Sequence, residues 1–224
     1  MNDRTPVLVS WSGGKDSSLA LEEIQKNGKF EIKALITTVT EDYDRVSMHG
    51  LRTDLLDRQA ASLNIPLRKV LISKNASNDE YEINFNEALL VFKEQGINNV
   101  VFGDLYLEDI KNYRESLLGK IGMNCLFPIW KRDTVKLAHD FIDVSFKAIT
   151  VCVDSKVLDK EFAGREFDQQ FLADIPEGID PCGENGEFHT FVYDGPIFTK
   201  PIDQMPGEIV FRDERFYYCD ILAV

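Results

Sequence analysis

The sequence is short of three things that particular functions require: paired cysteines, positive charge and long apolar runs. Its four cysteines, Cys125, Cys152, Cys182 and Cys219, are too far apart for a zinc knuckle or a Cys-x-x-Cys redox pair, so we expect reduced thiols. The net charge of -13 disfavours binding to nucleic acid, which needs clustered basic side chains. No apolar stretch is as long as a membrane span or a signal peptide, so we expect a cytoplasmic protein without a membrane partner.

The chain is nonetheless rich enough in apolar residues to fold on its own. It has 224 residues, of which 44% are hydrophobic and 15 are Phe. This length fits one large domain or two small ones, and either size can bury a hydrophobic core. The composition indicates a globular enzyme and leaves the oligomeric state open.

The most informative motif lies near the N-terminus, where an apolar run ends in a glycine turn. Val7 to Trp11 has the pattern of a buried strand, and Leu19, Leu21 and Ile24 begin the apolar face of a helix. Between them, residues 12–18 are Ser-Gly-Gly-Lys-Asp-Ser-Ser. The glycines permit a tight turn with outward backbone N–H groups, the helix N-terminus adds partial positive charge, and the lysine adds a full one. The turn is therefore a predicted phosphate-binding site.

The spacing within this turn decides which nucleotide loop it resembles. A Walker A loop has four residues between its glycines and ends in Gly-Lys-Ser or Gly-Lys-Thr, whereas here Asp16 follows the lysine directly. The dinucleotide fingerprint Gly-x-Gly-x-x-Gly is absent from the turn, which argues against hydride transfer. The turn instead resembles the PP-loop, Ser-Gly-Gly-x-Asp-Ser, of ATP pyrophosphatases, which cut ATP between its α and β phosphates. A turn that only caps a helix is the alternative.

The first half of the chain alternates between strand and helix patterns. Strand-like runs cover 32–39, 67–72 and 99–102, and helical patterns cover 51–63 and 81–95. This alternation predicts an α/β fold with a Rossmann-like parallel sheet and helices on both faces. Ligands of such sheets bind beyond the carboxyl ends of the strands. We therefore expect one crevice to collect residues 12–17, Thr37, Gly103 and Asp104.

The alternation weakens after Pro128. A helical pattern still covers 134–142 and a strand-like run covers 148–153, but glycine, proline and aspartate become frequent further on. We therefore predict two domains, an ATP-binding domain over 1–128 and a smaller α+β domain over 129–224.

A second cluster of chemically active residues lies at 180–191, Asp-Pro-Cys-Gly-Glu-Asn-Gly-Glu-Phe-His-Thr-Phe. Its glycines let the backbone approach a ligand, Glu184 and Glu187 can bind ammonium or another cation, and His189 can transfer a proton near neutral pH. The alternative is an ordinary hairpin whose acids face water and whose histidine is structural. Taken alone, these residues favour the hairpin.

Taken together, four segments resemble the diphthine-ammonia ligase family of ATP pyrophosphatases. They are the turn at 12–17, Gly103-Asp104 with Tyr113-Arg114 downstream, Phe-Pro-Ile-Trp at 127–130, and residues 182–191. Their order and spacing match over nearly the whole chain. The resemblance implies a HUP-type nucleotide domain and a C-terminal domain that serves the acceptor substrate. It also implies adenylation of an acceptor carboxylate, release of AMP and pyrophosphate, and attack by ammonia.

The acceptor and the source of ammonia stay open. Members of the family amidate diphthine on elongation factor 2, and related bacterial proteins share the motifs although bacteria lack that modification. Residues 108–115 depart from the archaeal and eukaryotic pattern, which favours a bacterial-type member. The acceptor is either diphthine on elongation factor 2 or an unknown small molecule. An RNA-modifying pyrophosphatase and a non-catalytic ATP-binding sensor are the alternatives from other classes.

The resemblance assigns roles to residues of both motifs. Preorganised N–H donors, a lysine and Mg²⁺ would stabilise the charge that grows on the leaving pyrophosphate. Asp16 and Asp104 are the candidate Mg²⁺ ligands. Asp16 would orient the loop or a Mg²⁺-bound water, and the alternative for Asp104 is a turn acid at the end of a strand. The expected catalytic residues are Lys15, Asp16, Glu184, Glu187 and His189. The expected ATP-binding residues are Ser12, Gly13, Gly14, Lys15, Asp16, Ser17, Thr37, Gly103 and Asp104.

Overall fold

Strands and helices alternate through the first half of the chain, as the sequence predicts. The computed structural model describes residues 4–41, 45–46, 50–74 and 76–224. The strands are β1 (Thr5–Ser10), β2 (Phe30–Thr40), β3 (Arg45–Val46), β4 (Leu67–Ile72), β5 (Asn99–Val101), β6 (Asn124–Leu126), β7 (Lys147–Asp154), β8 (Phe188–Asp194), β9 (Gln204–Arg212) and β10 (Phe216–Ala223). The helices are α1 (Lys15–Asn27), α2 (Thr53–Leu63), α3 (Asn78–Lys93), α4 (Glu108–Gly119), α5 (Thr134–Asp143) and α6 (Gln169–Asp174), with a 3-10 helix at Lys160–Phe162.

Five strands form a parallel sheet in the order β4-β2-β1-β5-β6, and the short β3 pairs antiparallel with β2. Numbered along the chain, the parallel strands follow the order 3-2-1-4-5 of doubly wound nucleotide-binding sheets. The order reverses between β1 and β5. The turn after β1 and the loop after β5 therefore flank the switch point, where such sheets bind their ligands.

The parallel sheet is covered on both faces, and β1 shows why. Its residues Val7, Leu8 and Val9 are all fully buried, which is the continuous apolar run expected of a central parallel strand. Val7 and Val9 pack into a core with α1 and α2, while Leu8 packs into a second core with α3 and α4. This arrangement confirms the predicted α/β class.

A second, antiparallel sheet in the order β8-β7-β10-β9 forms the rest of the fold. It packs on the α1 and α2 side, so that Trp11 and Leu19 share one core with Phe188 and Phe191. This sheet with α5 and α6 confirms the predicted smaller α+β part. The boundary at residue 128 stays a prediction.

Local capping sets the ends of the helices. The predicted helix at 81–95 begins earlier, at Asn78, because the Ser77 hydroxyl accepts a hydrogen bond from the Glu80 amide at 3.2 Å. Helix α1 ends at Gly28, whose φ of +70° is left-handed and suits glycine. Within the described ranges, none of the helices has the length and hydropathy needed to cross a membrane.

Candidate active site

The turn between β1 and α1 is held by hydrogen bonds to its Gly13 carbonyl. That oxygen accepts from the Val192 amide of β8 at 2.9 Å and from Gln59 Nε2 of α2 at 3.0 Å. In a trans peptide the C=O and N–H point in opposite directions. The Gly14 N–H therefore points away from β8 and α2, toward the Ser12 hydroxyl, at 3.3 Å. Ser17 Oγ lies 3.2 Å from Ser12 Oγ, so hydroxyls and an amide gather at the helix N-terminus.

Close packing requires the three glycines predicted for this site. Gly13 has a left-handed φ of +80°, and a Cβ there would lie 2.7 Å from Leu56 Cδ2. A Cβ on Gly14 would lie 2.9 Å from the Thr190 carbonyl oxygen, and one on Gly103 would lie 2.7 Å from the Asp16 backbone. The loop after β5 therefore touches the first turn of α1, as the predicted crevice requires.

Lys15 is a charged side chain that is almost fully buried, with 2% of its surface exposed. Its Nζ lies 2.8 and 2.9 Å from the two carboxylate oxygens of Asp16, and its backbone amide donates to Thr190 Oγ1 at 3.1 Å. Burial opposes the charge, but Asp16, with smaller effects of Cys182 and Glu184, outweighs it and raises the pKa of Lys15. The ammonium is therefore charged at neutral pH.

Further carboxylates lie near Asp16, the partner of this lysine. Burial raises the pKa of Asp16 although Lys15 opposes the shift, and the nearby Asp180 and Asp104 raise it further. Asp104 accepts two hydrogen bonds from Arg114, from Nε at 2.7 Å and from Nη2 at 3.1 Å. Asp104 therefore has a bidentate partner of opposite charge, whereas Asp16 pairs with Lys15 and lies near the further carboxylates of Asp180 and Asp104.

The second motif is tied to the loop after β5 through Glu184. Its Oε1 accepts from the Leu105 amide at 2.7 Å and from the Tyr106 amide at 3.2 Å. Asp180 folds the motif on itself by accepting from the Glu184 amide at 3.0 Å. Burial is the main cause of the raised pKa of Glu184, against the effect of the Leu105 amide. Glu184 thus connects the second motif to a loop that is far from it in the sequence.

Glu187 has one satisfied and one unsatisfied oxygen. The side chain is buried, and Oε1 accepts from Asn185 Nδ2 at 2.9 Å and from the Asp180 amide at 3.2 Å. Oε2 is buried too and has no hydrogen-bond partner within the described part of the chain. A buried carboxylate oxygen without a donor is costly, so this atom is poised to accept a hydrogen bond from a ligand.

His189 lies on β8 beside Thr190, the residue that accepts from the Lys15 amide. Burial, with a smaller effect of the charged Lys15, lowers the pKa of His189 to about 4. The imidazole is therefore neutral at pH 7 and is a weaker base than an exposed histidine.

The structure brings most of the predicted site residues together around the start of α1. Thr37 is buried in β2, next to Ile36, whose carbonyl accepts from the Trp11 amide at 2.8 Å at the entry to the turn. From its position in the sequence, His49 could either reach the nucleotide or acceptor or be a surface histidine; it lies outside the described residues.

Gln59 is a site residue that the sequence did not indicate. It lies on the apolar face of α2 with Leu55, Leu56 and Leu63, and its side chain contacts the PP-loop-like turn. The only signal available was a lone amide on an otherwise apolar helix face, which predicts a buried hydrogen bond but not its partner.

The fold and site define a class of protein: a Rossmann-like α/β protein with a phosphate-loop turn at the switch point of its sheet, packed against a second sheet that carries the acidic motif. Family models agree with this class over both halves. The model for the diphthamide synthase N-terminal domain matches residues 5–125, and the model for the diphthamide synthase C-terminal domain matches residues 133–222. The chain belongs to the diphthamide synthase family.

Three curated relatives, each named diphthine-ammonia ligase, cover nearly the whole chain. The protein of Schizosaccharomyces pombe is 25% identical over 223 residues, which are 91% of this chain and 37% of that protein. The protein of Bos taurus is 25% identical and the human protein 24% identical, over 92% and 93% of this chain and 85% of each relative. The chain thus spans about a third of the yeast protein and most of the mammalian ones.

Proposed function

We propose that this chain is an ATP-dependent ligase that adenylates an acceptor carboxylate and joins ammonia to it, with release of AMP and pyrophosphate. The relatives named diphthine-ammonia ligase support this activity. The observation that carries the proposal is the turn before α1, where Val192 and Gln59 hold the Gly13 carbonyl and the Gly14 N–H faces the Ser12 hydroxyl, beside the charged Lys15. This arrangement suits an anion whose charge grows during reaction.

The turn would bind the phosphates of ATP. Ser12, Gly13, Gly14 and Ser17 would offer hydroxyl and amide donors, and Lys15 would offer its ammonium. The acceptor carboxylate oxygen attacks the α phosphorus, the bond to the bridging oxygen breaks, and negative charge moves to the pyrophosphate. Donors fixed before reaction stabilise that charge without having to reorganise. Thr37, Gly103 and Asp104 would complete the nucleotide site on its other sides.

We propose that magnesium would bind beside Asp16, next to the phosphates of ATP. Burial raises the pKa of Asp16, and the nearby Asp180 and Asp104 raise it further, so the negative charge of these carboxylates would favour a nearby cation. In the described residues no group of three or more His, Cys, Asp and Glu could hold a metal ion. Mg²⁺ needs only one or two carboxylates when phosphates supply the other oxygens, so Asp16 and Asp104 would hold an ion that enters with ATP. When bound, it would neutralise phosphate charge.

The second motif would receive ammonia. Glu187 Oε2 is a buried acceptor without a partner in the described ranges, and ammonium supplies the N–H donors that it lacks. Glu184 contributes negative charge nearby while its Oε1 holds the loop after β5. Ammonium must lose a proton before it attacks the acyl-adenylate, and the neutral His189 would take part in that transfer.

The acceptor that we propose first is diphthine, because diphthine stands in the names of the relatives. The family resemblance implies that this diphthine is carried by elongation factor 2. A translation factor as acceptor also implies the cytoplasm as the place of reaction. A small-molecule carboxylate is the second candidate, favoured by the departure at residues 108–115.

The products of ATP test the activity. The purified chain is incubated with ATP labelled in the α phosphate, Mg²⁺ and ammonium, with and without diphthine-bearing elongation factor 2. We expect AMP and pyrophosphate in equal amounts, formed only when the acceptor is present. A cell extract of small molecules replaces the factor in a parallel reaction and separates the two acceptors. ADP as the product, or ATP binding without turnover in either reaction, contradicts the ligase and favours a phosphotransferase or a sensor.

Lys15→Ala tests the proposed role of the turn. Removal of one donor to a developing anion costs about 100-fold to 1,000-fold in rate, so we expect pyrophosphate release to fall by about that factor. Lys26→Ala on the same helix is the matched control, because the Lys26 side chain is 58% exposed and pairs with Glu22. The control should keep its activity within about twofold. Equal activity of the two variants contradicts the role of Lys15.

A further inference from the structure

Gln59 ties three separate segments together at the nucleotide turn. Its side chain is fully buried, and Oε1 accepts from Trp11 Nε1 at 2.9 Å. Its Nε2 donates to the Gly13 carbonyl at 3.0 Å and to the Val192 carbonyl at 2.6 Å. Both amide hydrogens are therefore used, one on the turn and one on β8. A buried amide whose donors are all bonded stabilises one arrangement of its partners over others.

The hydrogen bond from Gln59 Nε2 to the Gly13 carbonyl is the one that would affect ATP binding. The Gly13-Gly14 peptide can rotate with little steric resistance, because neither residue has a Cβ. Two donors, the Val192 amide and Gln59 Nε2, keep its carbonyl turned inward. Loss of Gln59 Nε2 would remove one of them and leave the Val192 carbonyl without this donor. The Gly14 N–H would then no longer be held toward the phosphate side of the turn.

We propose that Gln59 is a positioning residue for the polyphosphate of ATP, acting through the Gly13-Gly14 peptide; this role rests on the proposed function of the turn. It also couples the two sheets, because the same amide group holds Val192 on the strand that carries His189 and Thr190. Gln59 touches no substrate itself. Its effect is on the affinity for phosphate groups and not on recognition of the adenine or ribose.

Titration calorimetry on the full chain tests this role with inorganic pyrophosphate, ATP and adenosine as separate probes. We expect Gln59→Leu, which has a slightly smaller apolar side chain and no N–H donors, to bind pyrophosphate and ATP about tenfold more weakly. Its affinity for adenosine should equal that of the wild type. Gln25→Leu on the exposed surface of α1 is the matched control. Leu89→Ala, in the core on the other side of the sheet, controls for lost stability without a change at the turn.

Wild-type affinity of Gln59→Leu for pyrophosphate overturns the positioning role, as does an equal loss in Leu89→Ala. If Gln59→Leu does not fold, Trp11→Phe removes the Nε1 donor that orients Gln59, together with part of a buried ring, and we expect about threefold weaker binding of pyrophosphate. An unchanged affinity of a folded Trp11→Phe overturns the role in that case. A wild-type chain that binds neither pyrophosphate nor ATP contradicts the proposed function itself, and the positioning role falls with it.

Discussion

Single residues of this site owe their properties to burial as much as to chemical type. Lys15 stays charged in a nearly closed space because Asp16 bonds to it through both oxygens. His189 is neutral at pH 7 because burial, with a smaller effect of the charged Lys15, lowers its pKa to about 4. Glu187 keeps one oxygen without a donor in the described part of the chain. Two predictions belong to this scale.

Glu187→Gln should weaken the binding of ammonium and leave the binding of ATP unchanged. The substitution replaces a charged acceptor that would bind ammonium with a neutral amide, and hydrogen bonds to charged groups contribute about 1.5–3 kcal/mol. We expect the KM for ammonium to rise by about tenfold or more while the Kd for ATP stays the same. Glu177→Gln, an exposed glutamate in the preceding loop, is the control. An unchanged KM for ammonium in Glu187→Gln would remove this residue from the ammonia site.

His189 should make the protein less stable in acid. Its folded pKa of about 4 lies below the ordinary histidine value, so the unfolded chain binds more protons between about pH 4 and 6.5. The contribution of His189 to the free energy of unfolding should therefore be complete above about pH 6.5 and decrease as the pH falls toward 4. We expect His189→Gln to reduce this fall by an amount on the order of 1 kcal/mol in urea titrations. Parallel pH profiles of variant and wild type would contradict this assignment.

At the scale of elements, the site depends on how closely α1 approaches its neighbours. The N-terminus of α1 is enclosed by β8, by α2 and by the loop after β5, and glycines at three positions make room for this contact. The donors of the turn are thus fixed by elements distant in the sequence. Such preorganisation is what an anion-stabilising site requires.

Gly103→Ala should disturb the turn from the opposite loop. The new methyl group would lie 2.7 Å from the Asp16 carbonyl carbon and oxygen, so the backbone of one segment must shift. We expect a loss of about 1–3 kcal/mol in the free energy of unfolding, together with a fall in pyrophosphate release. Gly119→Ala at the end of α4 meets no atom within 4 Å and is the control. Equal free energies of unfolding and equal rates of pyrophosphate release in the two variants would show that the close approach at Gly103 does not matter for function.

At the scale of the whole molecule, the two sheets do not have separate interiors. Trp11 and Leu19 of the first half pack with Phe188 and Phe191 of the second, and Gly13 is bonded to Val192 across the same boundary. The nucleotide turn is therefore completed by residues from the far end of the chain.

A fragment of residues 1–128 should consequently fail to form the nucleotide site. Without β8 the turn loses its partners Thr190 and Val192, and the apolar surface under Trp11 is exposed to water. We expect non-cooperative unfolding in urea and no measurable binding of pyrophosphate, whereas the full chain unfolds cooperatively. Cooperative unfolding of the fragment with full-chain affinity would mean that the first half is an independent ATP-binding domain.

Local signals account for what could be predicted of the fold, and their absence accounts for what could not. The parallel sheet follows from alternating periodicity, and the β1–α1 turn follows from two adjacent glycines. The hairpin of β9 and β10 left no such signal, because its turn places Asp213 and Glu214 at φ of +54° and +51° in place of the usual Asn-Gly. Helix α4 was not predicted either, since it has few apolar residues and buries only Leu117 and Leu118.

The sequence by itself determined the fold class, the position of the phosphate-binding turn and the two motifs, because each depends on neighbours along the chain. Only the tertiary structure decided which atoms those motifs use. In the folded chain Glu184 accepts hydrogen bonds from the amides of Leu105 and Tyr106. Asp104 pairs with Arg114, and Gln59 donates to the Gly13 carbonyl. The physical reason is that a buried polar group bonds to the partner that tertiary packing places within hydrogen-bond distance. Local periodicity in the sequence does not predict that partner.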